Sequence, residues 1–307
     1  MIDAIVPIVI ATIGAGTAIA FAALGEVVTE KSGVLNLGVE GMMLVGAIAA
    51  FAAASGSGSL WTGIAVGMLA GAAMALLFAF LTLTLMANQV ACGLALSIFG
   101  VGLSAYAGQG YLNGVLPSQP VWQLPGLSAL PLVGPMLFAH QPLVYVSWVM
   151  LGAVWWFLYR SRAGLKLRSV GEPPSSAHAL GLPVTLSRYL ATMFGGAMAG
   201  VGGAFLAVMY TPMWVEGMTA GRGWIALALV VFGTWRPGRI MLGAYLFGGT
   251  TVAQLFAQSR GIAVPSQLLS VLPYLATVAV LVIISSNPVR IRLNTPASLG
   301  QSFRGAS

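Results

Sequence analysis

Charge is what this chain has least of. Acidic and basic residues make up 6% of its 307 positions, against roughly 25% in soluble domains. None lies between Glu40 and Arg160. No soluble surface can be built from such a stretch, so a soluble fold is excluded. Cysteine is nearly absent: Cys92 stands alone. An intrachain disulfide is therefore ruled out, and the thiols say nothing about compartment. The two histidines, His140 and His178, come without any Cys-x-x-Cys or His-x-x-x-His spacing, so a metal centre is not expected. No G-x-x-x-x-G-K-[ST] loop cradles a nucleotide, and no G-x-S-x-G marks a nucleophile elbow. Energy, if used, must come from a partner.

What fills the chain is apolar. Hydrophobic residues make up 58% of it and the mean hydropathy is +0.94. Runs long enough to span a bilayer, roughly 20 residues each, read as Ile5–Leu24, Val34–Ala54, Leu60–Met86, Val90–Ala107, Leu143–Tyr159, Tyr189–Tyr210, Ile240–Ala257 and Leu268–Ser285. Trp224–Trp235 is too short to cross unless it joins the Gly-rich segment before it. These runs are too continuous for barrel strands, and backbone in lipid must bond internally, so they are helices. The expectation is one all-α polytopic domain over residues 1–307, with about eight to nine membrane helices, discontinuous segments and inverted repeats. The first run lacks a basic leader, which argues for a span rather than a cleaved signal.

The net charge of +7 follows the positive-inside rule rather than nucleic-acid binding. Arg160, Arg162, Lys166, Arg168 and Arg188 frame one loop, residues 160–188. Arg236 and Arg239 frame another, and Arg290, Arg292 and Arg304 mark the tail. All three are consistent with the cytoplasmic side, together with Val27–Ser32. Residues 109–141, rich in Pro, Gly and Gln, read as an external loop. Small residues crowd Gly67–Gly71 and Gly195–Gly203, a spacing that lets helix backbones approach closely. Packing within one subunit is the simpler reading, against a dimer seam.

Ionisable groups inside an apolar zone mark functional sites by default. Glu26, Glu30 and Lys31 fit the cytoplasmic headgroup zone. Glu40 and Glu216 are flanked by glycines, where the helical pattern stumbles. Each is either a helix end at the interface or a break in a transport core. Val39-Glu40-Gly41-Met42 is echoed by Val215-Glu216-Gly217-Met218, and interrupted helices in corresponding places are a feature of transporters built from inverted repeats. The loop from Ser169 to Leu182 carries Pro in a first turn and Gly181 as a C-cap signal. It predicts a two-turn helix outside the membrane, either a plain surface loop or a knob for a partner's groove.

These motifs converge on a resemblance. The carrying residues run from Gly25 to Met43, through Ala87-Asn88-Gln89-Val90 and Gly93-Leu94-Ala95-Leu96. They continue through Gly217–Ala228, Phe232–Pro237 and Pro273-Tyr274-Leu275-Ala276-Thr277. The chain resembles the permease subunits of ABC importers in the ribose and branched-chain amino-acid group, above all the branch paired with nucleoside-binding lipoproteins.

The resemblance implies a multi-pass protein of the bacterial cytoplasmic (inner) membrane, working by alternating access and itself no enzyme. It implies a second related permease, two cytoplasmic ATPase subunits that use the ATP, and an external solute-binding protein. This chain would bind no cofactor. Gly171, Glu172, Pro174, Ala177 and Gly181 match the family's ATPase-coupling helix, although Glu172-Pro173-Pro174 and Ser176-Ala177 replace the usual Glu-Asn-Pro and Ala-Ala. Ser97 stands where the family has Asn.

The implied cargo is nucleoside-like, with a simple sugar, riboflavin or a branched-chain amino acid as alternatives on the same machine. A stand-alone ion-coupled transporter is the rival from another class. A neutral nucleoside asks for hydrogen bonds rather than a counter-charge, which makes Asn36, Asn88, Gln89 and Ser97 the pathway candidates. Glu40, Glu216 and Arg222 are expected to hold broken helices by capping or pairing.

Overall fold

The computed structural model describes residues 2–259, apart from 113, 119, 120, 124, 127, 129, 130 and 132, together with 271, 275, 279 and 294–304. The chain opens with α1 (Ile2–Lys31), about 45 Å long at 1.5 Å per residue. After a non-helical stretch, α2 (Val39–Ser57) begins. Gly58, at φ +67°, turns it into α3 (Leu60–Ala79), which closes in a π turn, Phe80–Thr84. α4 (Gln89–Gly108) starts on Asn88, whose side chain accepts from the Ala91 N–H at 3.0 Å. Such a cap satisfies one of the orphan donors of a helix N-terminus.

The segment expected outside contains a two-stranded antiparallel ribbon, β1 (Trp122–Gln123) and β2 (Ala139–His140). A short helix, α5 (Val133–Phe138), lies between them. α6 (Pro142–Arg160) returns, and α7 (Arg162–Gly171) and α8 (Pro174–Ala179) follow at its far end. α8 has six residues, under two turns, so the predicted helix is there but shorter. α9 (Val184–Phe205) runs back and also ends in a π turn, Leu206–Tyr210. α10 (Arg222–Phe232) and α11 (Pro237–Ser259) complete the described helices.

Among the described residues, seven helices are long and apolar enough to cross a membrane. α10 is not one of them. Its 11 residues reach about 16 Å, half of a roughly 30 Å hydrocarbon core. The short run read as Trp224–Trp235 thus stays short, because 217–221 before it is turn rather than helix. The expected span Leu268–Ser285 lies outside the described residues, save 271, 275 and 279.

α1, α2 and α9 form the buried interior, and α3, α4, α6 and α11 wrap it. α3 and α9 pack glycine against glycine. A Cβ on Gly71 would sit 2.2 Å from the Gly196 carbonyl oxygen, and one on Gly200 would sit 2.3 Å from that of Gly67. The pairing of 67 with 200 and 71 with 196 makes the two helices antiparallel. The glycine stripes therefore meet each other inside this one chain, as the simpler reading expected.

One end of the bundle gathers the basic segments. The end of α1, α7, α8, the start of α9, the turn after α10 and the tail at 294–304 all meet there. At the other end, the N–H of Leu116 bonds to the Pro212 carbonyl at 2.8 Å and Gln141 Nε2 donates to the Met209 carbonyl at 2.7 Å. His140 and His178 are at opposite ends, as expected. His140 is buried against Tyr145 and Trp148, and that burial pushes its pKa down.

Candidate functional site

The site is built on two interrupted helices. The first interruption is residues 32–38. Gly33 has φ +89°, and a Cβ there would lie 2.5 Å from Ser298 Oγ, so only glycine fits. The chain then doubles back along α1, for the Asn36 N–H reaches Glu26 Oε1 at 3.3 Å. Asn36 Oδ1 accepts from the Gly38 N–H at 2.9 Å, a local turn that a short amide side chain favours. α4 locks the other side. Gln89 Oε1 accepts from the Leu35 N–H at 2.8 Å, and Ser97 Oγ donates to the Leu37 carbonyl at 2.8 Å. Buried backbone groups need partners, and Glu26, Gln89 and Ser97 supply them.

The structure thus brings together three of the four pathway candidates, Asn36, Gln89 and Ser97. All three are buried and occupied in holding the first interruption against α4. The fourth, Asn88, is exposed at the start of α4. Two polar atoms around this interruption are buried without a hydrogen-bond partner, Glu26 Oε2 and Gln89 Nε2.

Glu40 joins the first interruption to the second. It sits in the first turn of α2 and is 6% exposed. Its carboxylate accepts from Thr219 Oγ1 at 2.6 Å and from the N–H groups of Gly221 at 2.9 Å and Gly223 at 2.6 Å. The N-terminus of a helix carries unpaired N–H groups and about half a positive charge. One carboxylate therefore serves the starts of both α2 and α10. Gly221 takes φ +81°, and a Cβ on Gly223 would fall 2.5 Å from Glu40 Cα. Arg222 Nη1 donates to the Met218 and Thr219 carbonyls at 3.2 and 3.1 Å, clasping the turn that precedes its own helix.

Glu216 is placed differently. It is exposed in the turn that holds Gly217 at φ +67°. The sequence echo therefore pairs a buried helix start with an exposed turn, and its two halves do not correspond in space. A closer correspondence lies elsewhere. α3 and α9 are antiparallel, each ends in a π turn, and each is followed by a non-helical stretch and a new helix, α4 or α10.

The basic end carries contacts that sequence reasoning did not single out. Glu26, Glu30 and Lys31 are buried rather than solvated in the headgroup zone: Glu26 lies against the interruption at Asn36, and Glu30 and Lys31 lie under the turn after α10 and the tail. Trp235 Nε1 donates to Glu30 Oε2 at 2.5 Å, and Lys31 Nζ donates to the Asn294 carbonyl at 2.6 Å. Arg188, read only as a topology signal, is 1% exposed. Its guanidinium donates to the carbonyls of Ser32 at 3.1 Å and Gln301 at 3.0 Å and to Ser298 Oγ at 3.0 Å. Ser298 Oγ in turn donates to the Gly171 carbonyl at 2.8 Å. The signal available was a guanidinium at the head of an apolar run.

α8 projects from this cluster. Ala177 packs inward with Val170 and Val184, Gly181 takes φ +77° after the helix, and Glu172 is exposed. Leu180 is 80% exposed at its tip. Phe303 from the tail packs edge-on against His178 at 5.7 Å. Among the described residues, no group of His, Cys, Asp and Glu could hold a metal ion.

Comparison with known proteins agrees with this architecture. The family described as branched-chain amino acid transport system / permease component matches residues 8–282. The putative glucose ABC transporter permease of Haloferax volcanii is 42% identical over 315 residues, 95% of this chain and 96% of that one. The nucleoside ABC transporter permease of Lactococcus lactis subsp. cremoris is 34% identical, over 86% of this chain and 88% of its own. The guanosine ABC transporter permease of Bacillus subtilis is 30% identical, over 89% and 90%. No solved structure matches. The protein is a multi-pass membrane protein and a transport component rather than an enzyme, and it works with ATPase and solute-binding components. The chain belongs to the family of ABC-transporter permease components, in the ribose and branched-chain amino-acid permease superfamily.

Proposed function

We propose that the chain is one of two related permeases in a membrane core driven by two ATPase subunits, and that it imports a nucleoside-like solute handed over by an external binding protein. The ATP is used by the partners, and this chain binds no cofactor. The observation that carries the reading is the Glu40 carboxylate shared by two helix starts inside the bundle. Half-helices meeting at mid-depth are how transporters place unsatisfied backbone beside a solute. Residues 160–188 form the cytoplasmic loop in this reading, 109–141 the external one.

The pathway runs along the outer face of α4, where Asn88, Ile98 and Tyr106 are exposed. Asn36, Gln89 and Ser97 support that wall from its buried side. Gly171, Glu172, Pro174, Ala177 and Gly181 shape the coupling segment, which offers Leu180 to the ATPase. Glu40 and Arg222 hold the half-helix, and Glu216 marks the turn leading into it.

The nucleoside reading rests on relatives named as nucleoside and guanosine permeases. A second reading, a simple sugar, is favoured by 42% identity to a putative glucose permease. Solute stimulation of ATP hydrolysis separates the two in the complex of this chain with its ATPases and binding protein. Stimulation by adenosine or guanosine and not by glucose supports the first. The reverse supports the second.

A further inference from the structure

A groove of about 570 Å³ opens between α1, α6, α7 and α9, within the roughly 300–1,000 Å³ usual for small-molecule sites. Val154, Phe157, Leu167, Leu190 and Phe194 line it, and Lys166 stands among them. The groove is almost wholly carbon, with its one charge on α7.

The placing of α7 explains this. Ser161 is extended and caps α7, accepting from the Gly164 N–H at 2.9 Å. A Cβ on Gly164 would lie 1.8 Å from the Phe157 carbonyl oxygen, so the glycine lets α7 fold tightly across the end of α6. One side of α7, with Gly164, Leu167 and Val170, is buried. The other exposes Arg162, Leu165 and Lys166. Exposed leucine between exposed cations is the pattern of a helix lying in a membrane interface.

The charges are one-sided. Arg160, Arg162, Lys166 and Arg168 fall within residues 160–171 with no acidic residue among them. Arg168 stacks over the Tyr159 ring, 5.4 Å from its centroid. Arg160, Arg162 and Lys166 are exposed.

We propose that this groove is a binding site for an anionic phospholipid. An acyl chain lies against Phe157, Leu190 and Phe194, and the headgroup phosphate meets Lys166 and Arg162. Carbon walls at the end of two spans suit a lipid tail, and unopposed cations at the mouth select a negative headgroup over a zwitterionic one. Because α7 runs directly into α8, a lipid held here ties the coupling segment to the membrane surface.

The test uses Trp156, which lines the groove and is exposed. The purified chain is placed in phosphatidylcholine nanodiscs doped with brominated phosphatidylglycerol or with brominated phosphatidylcholine at the same low fraction. The Trp156 signal is taken as the difference from Trp156→Phe. The anionic lipid should quench it more strongly. Lys166→Gln should lower that preference about fivefold, the effect of one cation near a membrane surface. Lys166→Arg should retain it, which shows that the site still folds. Equal quenching by both lipids, or a preference that survives Lys166→Gln with Arg162→Gln, reduces the groove to ordinary lipid contact. Quenching by neither lipid means that protein covers it. Each of these results overturns the proposal.

Discussion

Glu40 Oε2 accepts the N–H of Gly223 at 2.6 Å, across 183 residues of chain. That bond places the start of α2 beside the start of α10. With Thr219 and Gly221 it makes one carboxylate the joint between two broken helices.

The joint should be intolerant of change. Glu40→Gln swaps one acceptor oxygen for a donor facing an N–H. Bonds to a charged group contribute roughly 1.5–3 kcal/mol each, and a buried unsatisfied group costs about as much. A loss of about 3 kcal/mol in stability is expected, together with most uptake. Gly223→Ala should be as severe, since its Cβ would strike Glu40 Cα. Arg222→Gln removes the clasp on Met218 and Thr219 and should reduce uptake with a smaller effect on stability. Thermal unfolding in detergent and vesicle uptake check all three. Unchanged uptake in Glu40→Gln and Arg222→Gln would remove the structural role of both.

Arg188 should govern coupling rather than folding of the spans. Its guanidinium joins the end of α1, the tail and, through Ser298, the end of α7. Arg188→Lys cannot reproduce a planar fork with separate bonds to three partners. The assembled complex should then hydrolyse ATP while moving several-fold less solute per ATP. Ser298→Ala, which removes one link, should show a milder loss. A normal ratio of uptake to hydrolysis in Arg188→Lys would contradict this.

Leu180 is exposed, so Leu180→Asp should leave the membrane domain as stable as before. Loss of an apolar anchor from a partner's groove, and its replacement by a charge, should abolish co-purification of the ATPase. Retention of the ATPase in that variant would contradict a docking role for Leu180.

The α3–α9 contact has no room for a side chain. Gly71→Ala puts a methyl 2.2 Å from a backbone oxygen. Overpacking typically costs 1–3 kcal/mol, and this variant should reach the upper part of that range. The melting temperature of the purified chain is the measurement.

Much of this was legible in the residues. The long uncharged stretch dictated membrane helices, and the glycines around Glu40 announced an interruption. The glycine stripes announced close packing, and the described basic segments meet at one end. Partner identity was harder to read. Nothing near Glu40 in sequence names Gly221 or Gly223, because the contact depends on where α9 delivers its chain. Glu26, Glu30 and Lys31 looked like headgroup residues because their neighbours in sequence end an apolar run. What covers Glu30 and Lys31, Trp235 and the tail, is distant in sequence, and Glu26 lies against the turn at Asn36. The Val-Glu-Gly-Met echo misled for the same reason: four letters carry no information on burial. Asn36, Gln89 and Ser97 were read as polar groups on a pathway, and the structure shows each satisfying a local backbone demand.

The most direct test is uptake by the assembled complex. The chain, the second permease proposed for it, the ATPase and the binding protein are reconstituted in liposomes with labelled guanosine outside and ATP within. The account predicts guanosine accumulation that requires ATP, the ATPases and the binding protein, and that fails in Glu40→Gln. Accumulation by the lone chain under an ion gradient, with no ATPase present, would contradict it.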